Sequence, residues 1–129
     1  MRSLLVLSLL VSLSACGRPY MPGVSVNAPQ EKEKILLLDH GLTYYLKIVR
    51  QAASRTPGGQ LVVKVDVENE ENKDVPTDVN VIFKGEDGFE LENTGWQPQL
   101  FRRREVTTLA KTSIDARATD YRILIRNVK

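Results

Sequence analysis

Few residues in this sequence are of types that carry reaction chemistry, and their spacing limits what they could do. Cys16 is the only cysteine and His40 the only histidine. A single imidazole without a second histidine or an available thiolate makes a poor zinc site and a poor triad base. The serines beyond Cys16 are Ser25, Ser54 and Ser113, none inside a Gly-x-Ser-x-Gly elbow, and no glycine loop has the form that cradles phosphate. Carboxylates cluster from Glu68 to Asp74 and from Glu86 to Glu92. Paired carboxylates hydrolyse glycosides when they flank a cleft, but polar loops are normally charged as well. The expectation is a noncatalytic protein with no metal and no cofactor.

Cys16 has a different chemistry available. Arg2 supplies a positive charge ahead of the apolar run Leu4 to Leu13, and Ser14 and Ala15 are the small residues a signal peptidase accepts. That run is too short for a transmembrane helix, which needs about 20 residues. Leu13-Ser14-Ala15-Cys16 matches the lipobox of bacterial lipoproteins. There the thiol takes a diacylglycerol, the signal is cut before the cysteine, and the new amine is acylated. Two or three acyl chains hold a membrane far more firmly than the marginal grip of one myristoyl group. The expected product is anchored to a bilayer of the bacterial cell envelope, with no thiol left for a disulfide. Gly17, where an aspartate would favour inner-membrane retention, points to the outer membrane, facing the periplasm.

The formal net charge of +2 includes Arg2, which the signal removes, so nothing suggests a nucleic-acid binder. Residues 17–34, GRPYMPGVSVNAPQEKEK, combine prolines, glycines and a charged run without helix or strand period. They read as a flexible tether of roughly 20 to 25 Å root-mean-square span. The organisation expected is a signal peptide at 1–15, the lipidated cysteine and tether at 16–34, and one domain at 35–129.

That domain must be built from strands. Leu42, Tyr44, Leu46 and Ile48 share one face of a period-two stretch, and Leu61, Val63, Val65 and Val67 alternate with Val62, Lys64, Asp66 and Glu68. The polar run 69–76 is turn chemistry. Thr77 to Lys84, with Val79, Val81 and Phe83 on one face, should form a hairpin with Phe89 to Glu92 through a Glu86-Asp87-Gly88 turn. Ile35 to Leu38, Glu105 to Lys111 and Tyr121 to Arg126 complete about seven short strands, with no convincing amphipathic helix. The spacing predicts an all-β, antiparallel β-sandwich.

The order VENEENKDVPTDVNVIFKGEDGFEL, then TGWQP, then TDYRILIRN, behind a lipobox, resembles the YcfL-like family of small bacterial lipoproteins. The resemblance spans roughly residues 35–128 and is sharpest at Trp96-Gln97-Pro98. It implies an immunoglobulin-like sandwich tethered to an envelope membrane, in a family whose biochemical role is unassigned, and it carries over no catalytic residue.

Three features remain as binding candidates. Trp96, the only tryptophan, suits packing in the core or a sugar-stacking platform. Arg102, Arg103 and Arg104 form the only run of three cations; at an edge or turn they discourage aggregation, or they recognise anionic lipid headgroups or a partner's carboxylates. Arg122 and Arg126 share a strand face and extend that patch if they lie near it. An open strand edge can also accept a partner strand. The leading reading is a lipid-anchored periplasmic module that binds an envelope protein. The alternatives are a glycan- or anionic-lipid-binding module using Trp96 and the arginines, and a purely structural assembly protein.

Overall fold

The computed structural model describes residues 34–129, so the signal segment, the lipobox Cys16 and the rest of the expected tether lie outside the described residues. Eight strands follow: β1 (Ile35–Leu37), β2 (Leu46–Arg55), β3 (Leu61–Asn69), β4 (Val75–Lys84), β5 (Glu90–Asn93), β6 (Gln97–Phe101), β7 (Val106–Thr112) and β8 (Asp120–Asn127). The only helix among the described residues is one turn, α1 (Leu42–Tyr45). The larger sheet has the order β1-β8-β4-β5, with β6 also on β4, and the smaller runs β2-β3-β7. The result is the expected all-β sandwich.

Alternation explains the core. Val63, Val65 and Val67 of β3 face Val79, Val81 and Phe83 of β4 and Tyr121, Ile123 and Ile125 of β8, with Phe101 buried among them. Each such side chain contributes about 1.5–3 kcal/mol on burial. The 77–84 and 89–92 hairpin forms as read, with Ile82 opposite Asn93 and Phe83 opposite Glu92.

Three strand expectations are corrected. The period-two face from Leu42 to Ile48 is only half a strand: Leu42 and Leu46 are both buried, but four residues apart they also satisfy a helical turn. The amide of Thr43 donating to the His40 carbonyl and that of Tyr44 to Gly41 close that turn, and the strand starts at Leu46. Ile35 to Leu37 pairs parallel with β8, so the sandwich is not wholly antiparallel. Finally, Gln97 to Phe101 is a strand despite Pro98, because β6 lies on the edge of β4, where a missing amide is tolerated.

Register gives the sandwich two distinct ends. β4 and β8 pair from Lys84 with Asp120 to Thr77 with Asn127. The entry end, where the described chain begins, carries Lys34, the 85–89 turn and the 113–119 loop. Lys34 Nζ lies 2.7 Å from the Asp120 carboxylate there. The far end carries α1, the 70–74 loop, the 102–105 turn and the C-terminus. The ten residues of β4 put these ends about 33 Å apart.

Each end is fastened by side chains. At the far end the fully buried Asn69 donates from Nδ2 to the Lys73 and Phe101 carbonyls (2.9 and 3.0 Å) and accepts from the Glu71 amide (2.9 Å). At the entry end Glu92 accepts from the amides of Ile114 and Asp115 (2.8 and 2.9 Å). Buried Ser113 accepts from the Leu61 amide and donates to the Asp115 carbonyl, both at 2.9 Å.

Candidate functional site

The outer face of the larger sheet carries three of the residues singled out in the sequence and brings two of them, Trp96 and Arg126, into contact. Alternation along β4 turns Asp78, Asn80 and Ile82 outward, and on β8 it turns Arg122, Leu124 and Arg126 outward; Asp78 sits opposite Arg126 and Ile82 opposite Arg122. β5 and β6 both pair with β4, so the chain between them must leave the ladder. Thr94 fills the gap by accepting from the Val81 amide at 3.0 Å, and Gly95 takes a left-handed φ of 70° that a residue with a Cβ rarely adopts. Trp96 follows at this break.

Trp96 is therefore not in the core, as one reading required, but half-buried on the outer face. The Arg126 guanidinium lies over its ring, with Cζ 3.9 Å from the centroid. Arg126 Nη2 also reaches Asp78 Oδ2 at 3.5 Å, and both side chains are largely shielded, 20% and 15% exposed. The stack is worth up to about 2 kcal/mol in such partly desolvated surroundings. Arg126 Nε is buried and has no hydrogen-bond partner among the described residues. A sugar could use the covered face of the indole only by displacing the guanidinium.

The arginines do not form one patch. Arg122 and Arg126 share a face but lie four residues apart on β8, about 13 Å. Arg102, Arg103 and Arg104 occupy the β6–β7 turn at the far end, exposed and without an ion pair among the described residues. Their backbone is well held: the Arg103 amide donates to Asp74 Oδ1 (2.9 Å) and that of Arg104 to the Glu71 carbonyl (3.2 Å). Arg104 has φ 55°, uncommon for a side chain of its size.

The remaining chemistry-bearing residues are scattered. His40 is exposed; its imidazole hydrogen-bonds the Tyr44 hydroxyl at 3.0 Å and meets that ring edge to face. Ser113 is consumed in the loop fastening. The two acidic clusters lie at opposite ends of β4, so they share no cleft. Sequence reasoning overlooked two carboxylates. Asp78 balances Arg126, and Asp66, on the outer face of the smaller sheet, is held below the usual carboxylate range by hydrogen bonds from Thr108 and then Arg50. Both depend on partners reached only through strand pairing, which no local spacing signals.

Open strand edges are present too. β7 ends the smaller sheet, and between it and β6 lies a groove of about 290 Å³ floored by Val79, Val81 and Leu109. Lys111 Nζ bridges it to Gln97 Oε1 at 2.8 Å.

No family model matches the sequence, and no curated protein matches it. Two solved structures share its architecture. The Campylobacter jejuni protein cj0090 superposes with a TM-score of 0.62 at 20% identity, covering 75% of this chain and all of that one. A DUF1425 family member from Shewanella sp. pv-4 gives 0.58 at 14% identity, covering 65% and 79%. At these identities the likeness is one of fold alone: the chain shares the sandwich of these two proteins.

Proposed function

We propose that this chain is a YcfL-like lipoprotein of the bacterial envelope, acylated at Cys16 and facing the periplasm, whose sandwich binds an envelope protein without catalysing a reaction. The observation that carries the binding reading is the Trp96–Arg126–Asp78 cluster. It sits on a sheet face over which no other element of the described residues packs, beside Leu124 and Leu36. Tryptophan and arginine dominate interface hot spots because each combines a large apolar contact with a directed polar one. Here the indole is already half-buried and the guanidinium pre-oriented, which lowers the side-chain ordering cost of association. Leu36, Ile82 and Leu124 supply the apolar surroundings such an anchor needs.

Photo-crosslinking in living cells from positions next to Trp96 and Arg126 tests this, with Cys16→Ala as the unanchored control. One discrete protein adduct that Arg126→Ala weakens and the control abolishes is the expected result. Adducts confined to glycan or lipid would replace the protein partner with that ligand. An adduct to a second copy of the chain would make the face an assembly surface.

A further inference from the structure

We infer that the entry end of the sandwich seats on the surface of the bilayer that holds the acylated Cys16, with Phe89 and Ile114 dipping into the lipid interface; this rests on the lipid anchor proposed above. Among the described residues these two are the most exposed large hydrophobic side chains, at 74% and 84%. Tyr44, Val106, Val128 and Leu38 are exposed as well, but all belong to the far end. Phe89 and Ile114 belong to the end at which the chain enters from the direction of Cys16.

They come from different loops that the fold draws together. Glu92, three residues beyond Phe89, grips the amides of Ile114 and Asp115, and the 85–87 turn and residues 116–119 line one cleft of about 660 Å³. The Ile114 side chain is thus held outward by its own backbone bonds. The charges around it are mostly neutralised in pairs: Lys34 with Asp120, and Arg117 with Asp115 at 2.7 Å each. Arg55, which donates to the Gly59 and Ala116 carbonyls, and Lys84, opposite Glu90, offset part of the charge of Glu86, Asp87, Glu90 and Glu92 and leave the rim mildly acidic, so the surface that fits is zwitterionic rather than strongly anionic.

Burying a side chain of either size shifts a partition by about tenfold or more. Free in solution that is weak. For a chain already fixed to the bilayer at Cys16, the end competes at an effective concentration of millimolar order, and a weak preference suffices. The seating turns the Arg102–Arg104 turn away from the membrane, about 33 Å out along β4.

The test uses full-length acylated protein in phosphatidylethanolamine-rich vesicles, with an environment-sensitive fluorophore on Ile114→Cys or, as control, on Arg103→Cys. The expected result is a blue-shifted emission quenched by brominated lipid at position 114 only, diminished by Phe89→Asp and by added phosphatidylglycerol. A chain that takes up labelled palmitate and floats with the vesicles, yet leaves both labels in water, overturns the seating alone. A chain that takes up no palmitate at Cys16 overturns the anchor and the seating with it. Equal quenching at both positions overturns the orientation.

Discussion

At the far end one buried amide, Asn69, satisfies two carbonyls and one amide, whereas at the entry end the carboxylate of Glu92 and the hydroxyl of Ser113 share the corresponding work. Both tasks arise from the same problem: loops that leave the ladder still carry backbone groups that need partners. A neutral amide can do this in the core, since it brings both donors and an acceptor and no charge to desolvate. A carboxylate only accepts, and it suits the partly exposed loop around Ile114, where two amides converge. The difference leaves the far turn insulated beneath three exposed arginines, while the entry loop depends on charged groups near its surface.

The comparison breaks most sharply by truncation. Phe101 is fully buried and its carbonyl receives Asn69, so Phe101→Ala should cost about 3–5 kcal/mol in urea unfolding. Ile114→Ala, at the other end, should stay within about 0.5 kcal/mol, because its side chain has little contact to lose. A core-sized loss at Ile114 would mean that the side chain serves packing and is not reserved for a surface. Next in size is Asn69→Ala, expected to cost about 1–3 kcal/mol by stranding the Lys73 and Phe101 carbonyls. Asn69→Asp should cost at least as much, since it keeps the acceptor for Glu71 but sets a charge against two carbonyl oxygens.

Those residues also mark how far the sequence could be read. The valines of β3 and the faces of β4 and β8 were legible because alternation is a local property. So was the 86–88 turn, where Gly88 has φ 82°. β6 was hidden by its proline, and the helical turn at Leu42 by a spacing of four that serves both periods. The parallel placement of β1 was beyond reach, because pairing with β8 joins residues some ninety apart in the chain. The site divides in the same way. Trp96 and Arg126 stood out as residue types, but their stacking needs the β5–β6 break and the β4–β8 register together. Asp78, their counter-ion, had no local signal, and Arg102 to Arg104 were legible as a solvated turn, not as part of that cluster.

A smaller change separates the two fastenings at single-amide resolution. Glu92→Gln keeps one acceptor and loses the other, which should cost about 0.5–1.5 kcal/mol. Hydrogen exchange at the Ile114 and Asp115 amides should accelerate, with the Glu71 amide unchanged. Acceleration at both ends would show that the loops open together and that the fastenings are not independent.

The smallest expected effect is the acid response of the entry end. Burial raises the Asp120 carboxyl, but hydrogen bonds from Lys34 and from the Tyr121 amide outweigh it and leave the group below the usual carboxylate range. Asp115 is lowered too, by its side-chain and backbone hydrogen bonds from Arg117. A carboxyl whose folded value lies below its unfolded one binds fewer protons in the native state, so stability rises with pH across the interval between them. The contribution is complete above the unfolded value of about 4 and is lost as pH falls through the lower folded value. The Lys34–Asp120 pair is well exposed, so its share should stay under about 1 kcal/mol. Asp120→Asn should therefore flatten the decline of thermal stability below pH 4 while leaving exchange at the Glu71 amide untouched. The Asn69 amide that holds Glu71 does not titrate, so an acid-sensitive loss of protection there, arising as steeply as at Ile114, would erase the distinction between the two ends.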